Sequence, residues 1–332
     1  MYLENLLRFF ISLIYDKEKY KKNMTVASID LGTNTILLLI ANVNLETGKI
    51  ETLKNLYRIP RIGKGVNPGD PIPDENSERM FNVLDEYSKI IKKYRCEKVL
   101  ATGTNAFRIA SNKRKLVNQI KNNFGFDVNI ISGEEEARFS YLGVSNEYGE
   151  NNLIVIDIGG GSTEIISGKG NNISFRKSYH VGVVSLTEKF FYTNPPAKEN
   201  LDKFTMHVQS ILEEIPKKVK EIDTALAIAG TPTTLACIKL NLRDYNEEVI
   251  ENSSLTMKEL RNFIQNLSRL TSAEILKNYS SVVKGREDVL LAGTIILTEI
   301  VKLLNLNEIK VSAKGIRYGA IVNWINSLKS SH

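Results

Sequence analysis

The sequence predicts an α/β protein in which one domain plan occurs twice, leaving a cleft between the copies. Three observations carry this expectation. A chain of 332 residues exceeds what one ordinary hydrophobic core organises, so two packed domains are expected. Two segments share a strand–turn–strand outline. In the first, the apolar run 26–29 leads into Asp30-Leu31-Gly32-Thr33-Asn34-Thr35 and then into a second apolar run, 36–40. In the other, residues 153–156 lead into Asp157-Ile158-Gly159-Gly160-Gly161-Ser162-Thr163-Glu164 and then Ile165-Ile166. The third observation is an interval: Gly103 follows Asp30, and Gly230 follows Asp157, by the same 73 residues, each in a strand that ends in a Gly-Thr turn. A duplicated α/β domain explains all three with one assumption.

Residues 1–23 stand apart. Residues 9–15 are apolar except for Ser12, far short of the roughly 20 residues that span a bilayer. Glu4 occupies the place where a signal peptide carries basic charge, and no small-residue cleavage site follows. An amphipathic surface helix and a misassigned start both account for this extension, since Met24 directly precedes the first convincing strand. Domain I is expected over 24–147, completed by a C-terminal helix over 318–332, and domain II over 148–317. Residues 74–94 carry Met80, Phe81, Leu84, Tyr87, Ile90 and Ile91 at three- and four-residue spacing, which predicts a helix with one buried face. Residues 198–220, 257–267 and 315–328 read as helices on the same grounds. Each half thus becomes a mixed sheet with flanking helices, and the cleft between them is the default site.

Composition narrows the class. Apolar residues make up 42% and charged residues 25%, a soluble globular mixture without a membrane span. Cys96 and Cys237 offer neither a disulfide framework nor a metal knuckle and read as core thiols of a reducing compartment, here the cytoplasm. The net charge of +6 has two readings, a codon bias towards Lys and Asn or a field that steers a polyanion towards the cleft. Charge alone does not separate them, nor nucleic acid from polyphosphate.

The turns carry the chemistry. Successive backbone N–H groups in a Gly-rich turn can cradle phosphate oxygens, and side chains at Gly32, Gly160 or Gly161 would obstruct that approach. Thr33, Ser162 and Thr163 add hydroxyl donors. One such turn alone reads as a tight turn that merely needs glycine. Two of them, each opening with Asp, point to phosphate. Asp30 and Asp157 at strand ends suit Mg²⁺, which takes oxygen ligands and retains water. In Ser132-Gly133-Glu134-Glu135-Glu136-Ala137-Arg138, Ser132 and Glu135 form a capping box, and acids in the first turn suit the helix dipole. Glu136 is left over, available as a general base beside bound phosphate.

Together, the segments 30–35, 132–138 and 157–164 resemble the exopolyphosphatase and guanosine pentaphosphate phosphohydrolase (Ppx/GppA) family, in its short two-domain form. The Gly-Thr turns at Gly103 and Gly230 and Arg317 also fit, and the resemblance runs from about Met24 to about Asn323. It implies an actin-like fold (ribonuclease H-like halves around a central cleft) and metal-dependent release of terminal phosphate from inorganic polyphosphate or guanosine pentaphosphate. It implies Glu136 as catalytic base, Glu164 as a second site carboxylate near metal or water, and Asp157 as the metal-associated aspartate with Asp30 nearby. Arg108 matches a family arginine expected on substrate phosphate, and Arg286 is a second candidate of that kind. Gly32, Thr33, Asn34, Gly160, Gly161, Ser162 and Thr163 complete the phosphate-binding set, with Mg²⁺ or Mn²⁺ as cofactor. No specific nucleic acid is expected, and a homodimer is allowed.

One segment departs from the family pattern Ser-Asp-x-x-x-Arg-Glu-Gly. Here it reads Ser312-Ala313-Lys314-Gly315-Ile316-Arg317-Tyr318-Gly319, with Ala313 and Tyr318 at acidic positions. Longer family members carry a further C-terminal helical region associated with long polyphosphate, so short substrates and weak processivity are expected here. Three rivals share the turns: a small-molecule kinase of the same superfold, a chaperone-type ATPase, and a non-catalytic alarmone-binding regulator. The kinase needs an acceptor, the chaperone a further domain, and the regulator no Glu136.

Overall fold

A computed structural model describes residues 22–330, so the reading of the N-terminal extension falls almost entirely outside the described residues. In the first half, β1 (Asn23–Leu31), β2 (Ile36–Asn44) and β3 (Ile50–Arg58) form an antiparallel meander. Helix α1 (Asp74–Lys93) crosses to β4 (Lys98–Gly103), and α2 (Asn105–Ile109) and α3 (Lys113–Phe124) lead to β5 (Val128–Ile130). β1 pairs in parallel with β4, and β4 with β5, which gives the order β3-β2-β1-β4-β5. Helix α4 (Gly133–Ser145) then links the halves.

The second half repeats this plan. β6 (Asn152–Ile158), β7 (Thr163–Lys169) and β8 (Asn172–Tyr179) form the meander. Helices α5 (Val183–Phe190), α6 (Lys198–Leu212) and α7 (Ile215–Lys218) cross to β9 (Thr224–Ile228), which is followed by α8 (Gly230–Lys239) and α9 (Glu247–Ile250). Then come β10 (Ser254–Thr256), α10 (Met257–Leu267), α11 (Ser272–Tyr279), a 3₁₀ turn (Ser280–Val283), α12 (Leu290–Leu303), β11 (Glu308–Val311) and α13 (Ile316–Ser330). The sheet order is β10-β11-β9-β6-β7-β8, the first order again with β10 added at the edge. The duplication is therefore topological, and the architecture is the actin-like one.

Each half has its own core. Met80, Leu84, Tyr87 and Ile91 of α1 pack on Ile29, Leu38 and Ile40, the face that the helical spacing predicts. Helix α13 covers the opposite face of the same sheet, with Tyr318, Ile321 and Ile325 against Val26, Leu39, Ala41 and Val43. Its approach to α4 depends on glycine: a Cβ on Gly319 would lie 1.8 Å from the Phe139 carbonyl oxygen. The end of the chain thus packs back on the first sheet.

Two helices differ from expectation. The predicted helix 198–220 is two pieces, because Pro216 cannot continue α6 and instead opens α7. Helix α12 lacks a polar face along most of its length and is buried on all sides, so it carries no one-faced periodicity for a sequence to display.

Candidate active site

The two Gly-rich turns close in the same way. Gly32 N–H donates to Thr35 O (3.1 Å) and Gly159 N–H to Ser162 O (2.9 Å). They face one another directly: a Cβ on Gly160 would lie 3.0 Å from Thr33 Cβ, and one on Gly161 would lie 1.9 Å from Asn105 Nδ2. Glycine is thus needed at both positions for the halves to approach. The second turn is also secured from α5, where the N–H groups of Val183 and Val184 donate to the carbonyls of Gly159 (3.0 Å) and Gly160 (2.8 Å). Between the turns lies a cavity of about 140 Å³, many times the roughly 10–15 Å³ that one water requires. A phosphoryl group and a water therefore fit together.

Strand ends and one helix start deliver four carboxylates to this place. Asp30 and Asp157 sit near the ends of β1 and β6, in register with Leu37 and Glu164 on the neighbouring strands. Glu136 enters from the first turn of α4, whose start is fixed by the reciprocal Ser132–Glu135 capping box. That box leaves Glu136 free to point elsewhere, and it is only 6% exposed. Burial raises its pKa to about 7, with a further rise from Asp157, while the ion pair and hydrogen bond from Arg108 pull it back. Burial also raises Asp157 to about 6 against the Ser140 hydroxyl, which donates to Asp157 Oδ2.

Glu164 is fully buried and does not line the cavity. Burial first, then Glu136 and Asp157, hold its pKa well above the carboxylate range, offset by the Ser178 and Ser162 hydroxyls. Asp30 is held high by burial and by Glu136 and Asp157, with Arg317 acting in the opposite sense. Such a cluster is unstable alone. Asp30 Oδ1 and Glu164 Oε2 are buried without a hydrogen-bond partner, the condition that a cation or an added proton relieves. Among the described residues no group of three or more acidic, histidine or cysteine side chains is placed to hold a metal ion by itself. That suits Mg²⁺, which usually takes one or two carboxylates and completes its shell with water and substrate phosphate. The donor set therefore fits such an ion.

The cavity also carries positive charge. Arg286 and Arg317 both line it, and their guanidinium groups contact neutral partners. Arg286 Nη1 donates to Thr234 Oγ1 (3.0 Å) and Gly230 O (3.3 Å), and its guanidinium lies 5.6 Å from the Tyr57 ring centroid. Arg317 donates to Asn55 Oδ1 and to Ala313 O. Two buried or half-buried cations without carboxylate partners leave donors free for an anion. Tyr57 and Tyr245, from opposite halves, meet edge to face at 5.6 Å and close this end.

Residues 40–328 match the Ppx/GppA phosphatase family. The chain belongs to that family. It is 33% identical to a bifunctional 3-dehydroquinate synthase/phosphatase of Fusobacterium nucleatum, over 93% of this chain and 48% of that protein. It is 27% identical to a guanosine-5'-triphosphate,3'-diphosphate pyrophosphatase of Photobacterium profundum, over 91% of this chain and 60% of that protein. The chain thus spans about half to three-fifths of the length of these curated relatives. Among solved structures, the Ppx/GppA family member of Aquifex aeolicus is 32% identical with a TM-score of 0.78, covering 93% of this chain and 99% of that one. An exopolyphosphatase from Cytophaga hutchinsonii is 26% identical with a TM-score of 0.83, covering 91% and 98%.

Within this Ppx/GppA frame, Gly32, Thr33, Asn34, Gly160, Gly161, Ser162, Asp30, Asp157, Glu136 and Arg286 all line the cavity. Three expected site residues stand behind it. Arg108 pairs with Glu136 and donates to the Ile131 carbonyl (3.1 Å). Thr163 spends its hydroxyl proton on the Val181 carbonyl, which leaves Ser162 as the hydroxyl of that turn facing the cavity. Glu164 lies beneath Asp157, as described. The two non-acidic positions in segment 312–319 receive carboxylates from α9 and its C-terminal end. Glu251 accepts from Ser312 Oγ and Ala313 N–H, each at 2.8 Å, and Glu247 accepts from the Tyr318 hydroxyl at 2.7 Å. Tyr318 also shares a hydrogen bond with Thr52 (2.8 Å), so it ties domain I to domain II.

Sequence reasoning misses Ser140, Ser178, Tyr57, Tyr245 and Asn105. Ser140 carried a signal, since it stands four residues after Glu136 on the same helix face. Ser178 meets Glu164 only through the β7–β8 register, which no local spacing reveals.

Proposed function

We propose that the protein hydrolyses terminal phosphoanhydride bonds, releasing phosphate from inorganic polyphosphate, from guanosine pentaphosphate, or from both, with Mg²⁺ or Mn²⁺. The observation that carries this reading is Glu136: a buried carboxylate at a helix start, beside two opposed glycine turns, with its pKa near 7. A base is most effective when its pKa lies near the working pH, and such a group contributes about 10²–10⁴-fold in rate. The names of the Photobacterium profundum and Cytophaga hutchinsonii relatives supply the two substrate classes.

In this reading a water molecule attacks the terminal phosphorus in line with the leaving oxygen. Glu136 accepts the proton of that water as the new P–O bond forms. The bond to the leaving phosphate breaks, and its electron pair departs with the shortened chain. Arg108 fixes the orientation of Glu136 and keeps part of it ionised at neutral pH. Turn N–H groups, Ser162, Arg286 and Arg317 offer donors to the remaining phosphate oxygens, so the barrier is lowered mainly by position and field. Asp157, with Asp30 nearby and Glu164 behind it, would hold through water the divalent cation, which when bound offsets negative charge on the phosphoryl group. The reaction requires no covalent nucleophile, and neither His180 nor His207 lines the cavity.

The test is phosphate release across a panel: guanosine pentaphosphate, GTP, tripolyphosphate and long polyphosphate, each with Mg²⁺. Release from at least one, abolished in Glu136→Gln, is expected. Tight alarmone binding with no release from any substrate would favour a regulator instead. Nucleoside diphosphate formed only when a small acceptor is added would favour a kinase.

A further inference from the structure

Arg61 stands at the mouth of the cleft, outside the machinery described above. Its φ is +54°, a left-handed conformation that an L side chain holds only when its surroundings fix it. Those surroundings belong to domain I. Arg61 N–H donates to Asn34 O (3.1 Å) and Gly63 N–H to Thr33 O (2.9 Å), so this loop is the scaffold of the first phosphate turn. Helix α1 secures its other side: Asn76 Nδ2 donates to the carbonyls of Ile62 (3.1 Å) and Lys64 (3.0 Å), and Arg79 Nε to that of Pro60 (2.8 Å).

From this fixed base the Arg61 side chain crosses to domain II. Nη1 and Nη2 reach the two Asp288 oxygens at 2.6 and 2.7 Å, and Nη2 also donates to Gly285 O at 2.9 Å. Gly285 and Asp288 flank Arg286, whose guanidinium lines the cavity. One side chain thus joins the backbone of the first turn to the segment that carries the cation opposite it. We propose that Arg61 is a positioning residue whose forked pair with Asp288 sets the separation between the first phosphate turn and Arg286. The two faces then grip one substrate at a fixed spacing. The inference rests on the reading of the cleft as a phosphate site. Because the two side chains are 21% and 34% exposed, salt weakens the pair. Other struts, including Tyr57–Tyr245 and Tyr318–Glu247, keep the halves together when it is cut.

The experiment measures binding of tripolyphosphate with Mg²⁺ by calorimetry in the Glu136→Gln background, and KM and kcat with Glu136 intact. Arg61→Gln should weaken binding and raise KM about tenfold, within the 10²-fold that roughly 1 Å of misplacement can cost, while kcat stays within about twofold. Asp288→Asn should lose less, because Glu287 lies 3.8 Å from Arg61 as a second acceptor. The double variant should be no worse than Arg61→Gln alone, as expected for residues acting as a unit. Exchanging the charges (Arg61→Asp with Asp288→Arg) should recover most of the affinity, and melting midpoints near the parent's would show intact folds. Arg61→Gln binding as tightly as the parent, or losses that simply add, would overturn the proposal and leave the hydrolase reading standing. Failure of the parent to bind either tripolyphosphate or, run in parallel, guanosine pentaphosphate would overturn both.

Discussion

Replacing Arg108 with Gln separates two roles that the site allows this arginine. It pairs with Glu136, whose pKa of about 7 is the balance between burial, which raises it, and Arg108, which lowers it. A neighbouring opposite charge holds a carboxylate down by about 1–3 units. With Arg108 gone, Glu136 keeps its proton to higher pH, so the acid limb of kcat/KM moves towards alkali by about that amount. At pH 7 roughly half of the base is ionised in the parent. In the variant this falls to between about a tenth and a thousandth, so activity drops about fivefold to several hundredfold; by pH 10 nearly all of it returns for the smaller shift and about half for the larger. The Asp157 carboxylate is near enough to raise Glu136 further, so the limb belongs to the pair rather than to one residue. The assay is phosphate release from tripolyphosphate across pH 5–10, with Arg108→Lys as a charge-keeping control. An unmoved limb with a raised KM at every pH would mean that Arg108 serves substrate phosphate instead, and the base-tuning argument would be wrong.

Four further outcomes follow from the same geometry. Glu136→Gln should lower kcat by about 10²–10⁴-fold with folding intact, whereas Glu135→Gln, whose amide oxygen can still accept from Ser132 N–H, should change stability and turnover little; similar kinetic losses in both would refute the assignment. Excess chelator should abolish phosphate release, and Asp157→Asn should raise the Mg²⁺ concentration needed by about tenfold or more; full turnover in chelator would contradict the proposed role of the carboxylates. Gly160→Ala places a Cβ 3.0 Å from Thr33 Cβ and should raise KM with an unchanged melting profile at the domain cores; an unaffected KM would mean that the turns do not grip substrate. Burial holds the folded-state pKa of Asp30 above its unfolded value, so its contribution to stability is present below about pH 3.9 and is lost as pH rises through the folded value. Asp30→Asn, neutral throughout, should therefore melt a few degrees higher than the parent at pH 8 without divalent cation, and equal midpoints would count against the electrostatic account.

What could be read from the sequence depended on whether the signal was local. The Asp-Gly turns, the capping box at Ser132 and the one-faced helix α1 are local patterns, and each appears where its spacing places it. The equal intervals from Asp30 and Asp157 exposed the duplication because a repeat preserves distance along the chain. The edge strand β3 gave no such signal: Glu51, Thr52, Leu53 and Lys54 in its first half are exposed, so its membership of the sheet is set by β2. The site divides likewise. Glu136 stood out as the acid the cap did not need, but its partner Arg108 was read as a phosphate ligand, because an ion pair across 28 residues has no mark in either segment. Arg61 and Asp288 are more remote still, and only the closed cleft joins them.

The repeat also shows why attack would be confined to one end of a substrate. Both halves present an aspartate at the end of the first strand of their meander, but the facing residue differs. Asp30 is in register with Leu37, whereas Asp157 is in register with Glu164. The second half therefore carries two carboxylates where the first carries one, and α4 brings Glu136 to the same side, close enough for each to perturb the others. Arg286 and Arg317 lie in the same cavity with neutral hydrogen-bond partners, and Arg317 is near enough to Asp30 to act on its charge. A linear polyanion bound between symmetric turns would meet the same field from both directions. Here one cavity holds a base and cation-seeking oxygens together with the guanidinium groups of Arg286 and Arg317, and only the turn of the second half has Glu136 and the paired carboxylates beside it. In the proposed reaction only the phosphoryl group beside Glu136 and Asp157 has water, base and metal together, and the cations hold the chain that leaves. Reducing Glu164 to the leucine of its counterpart should therefore abolish turnover more than it weakens substrate binding. A variant that binds poorly yet turns over normally at saturation would show that the asymmetry serves grip rather than chemistry.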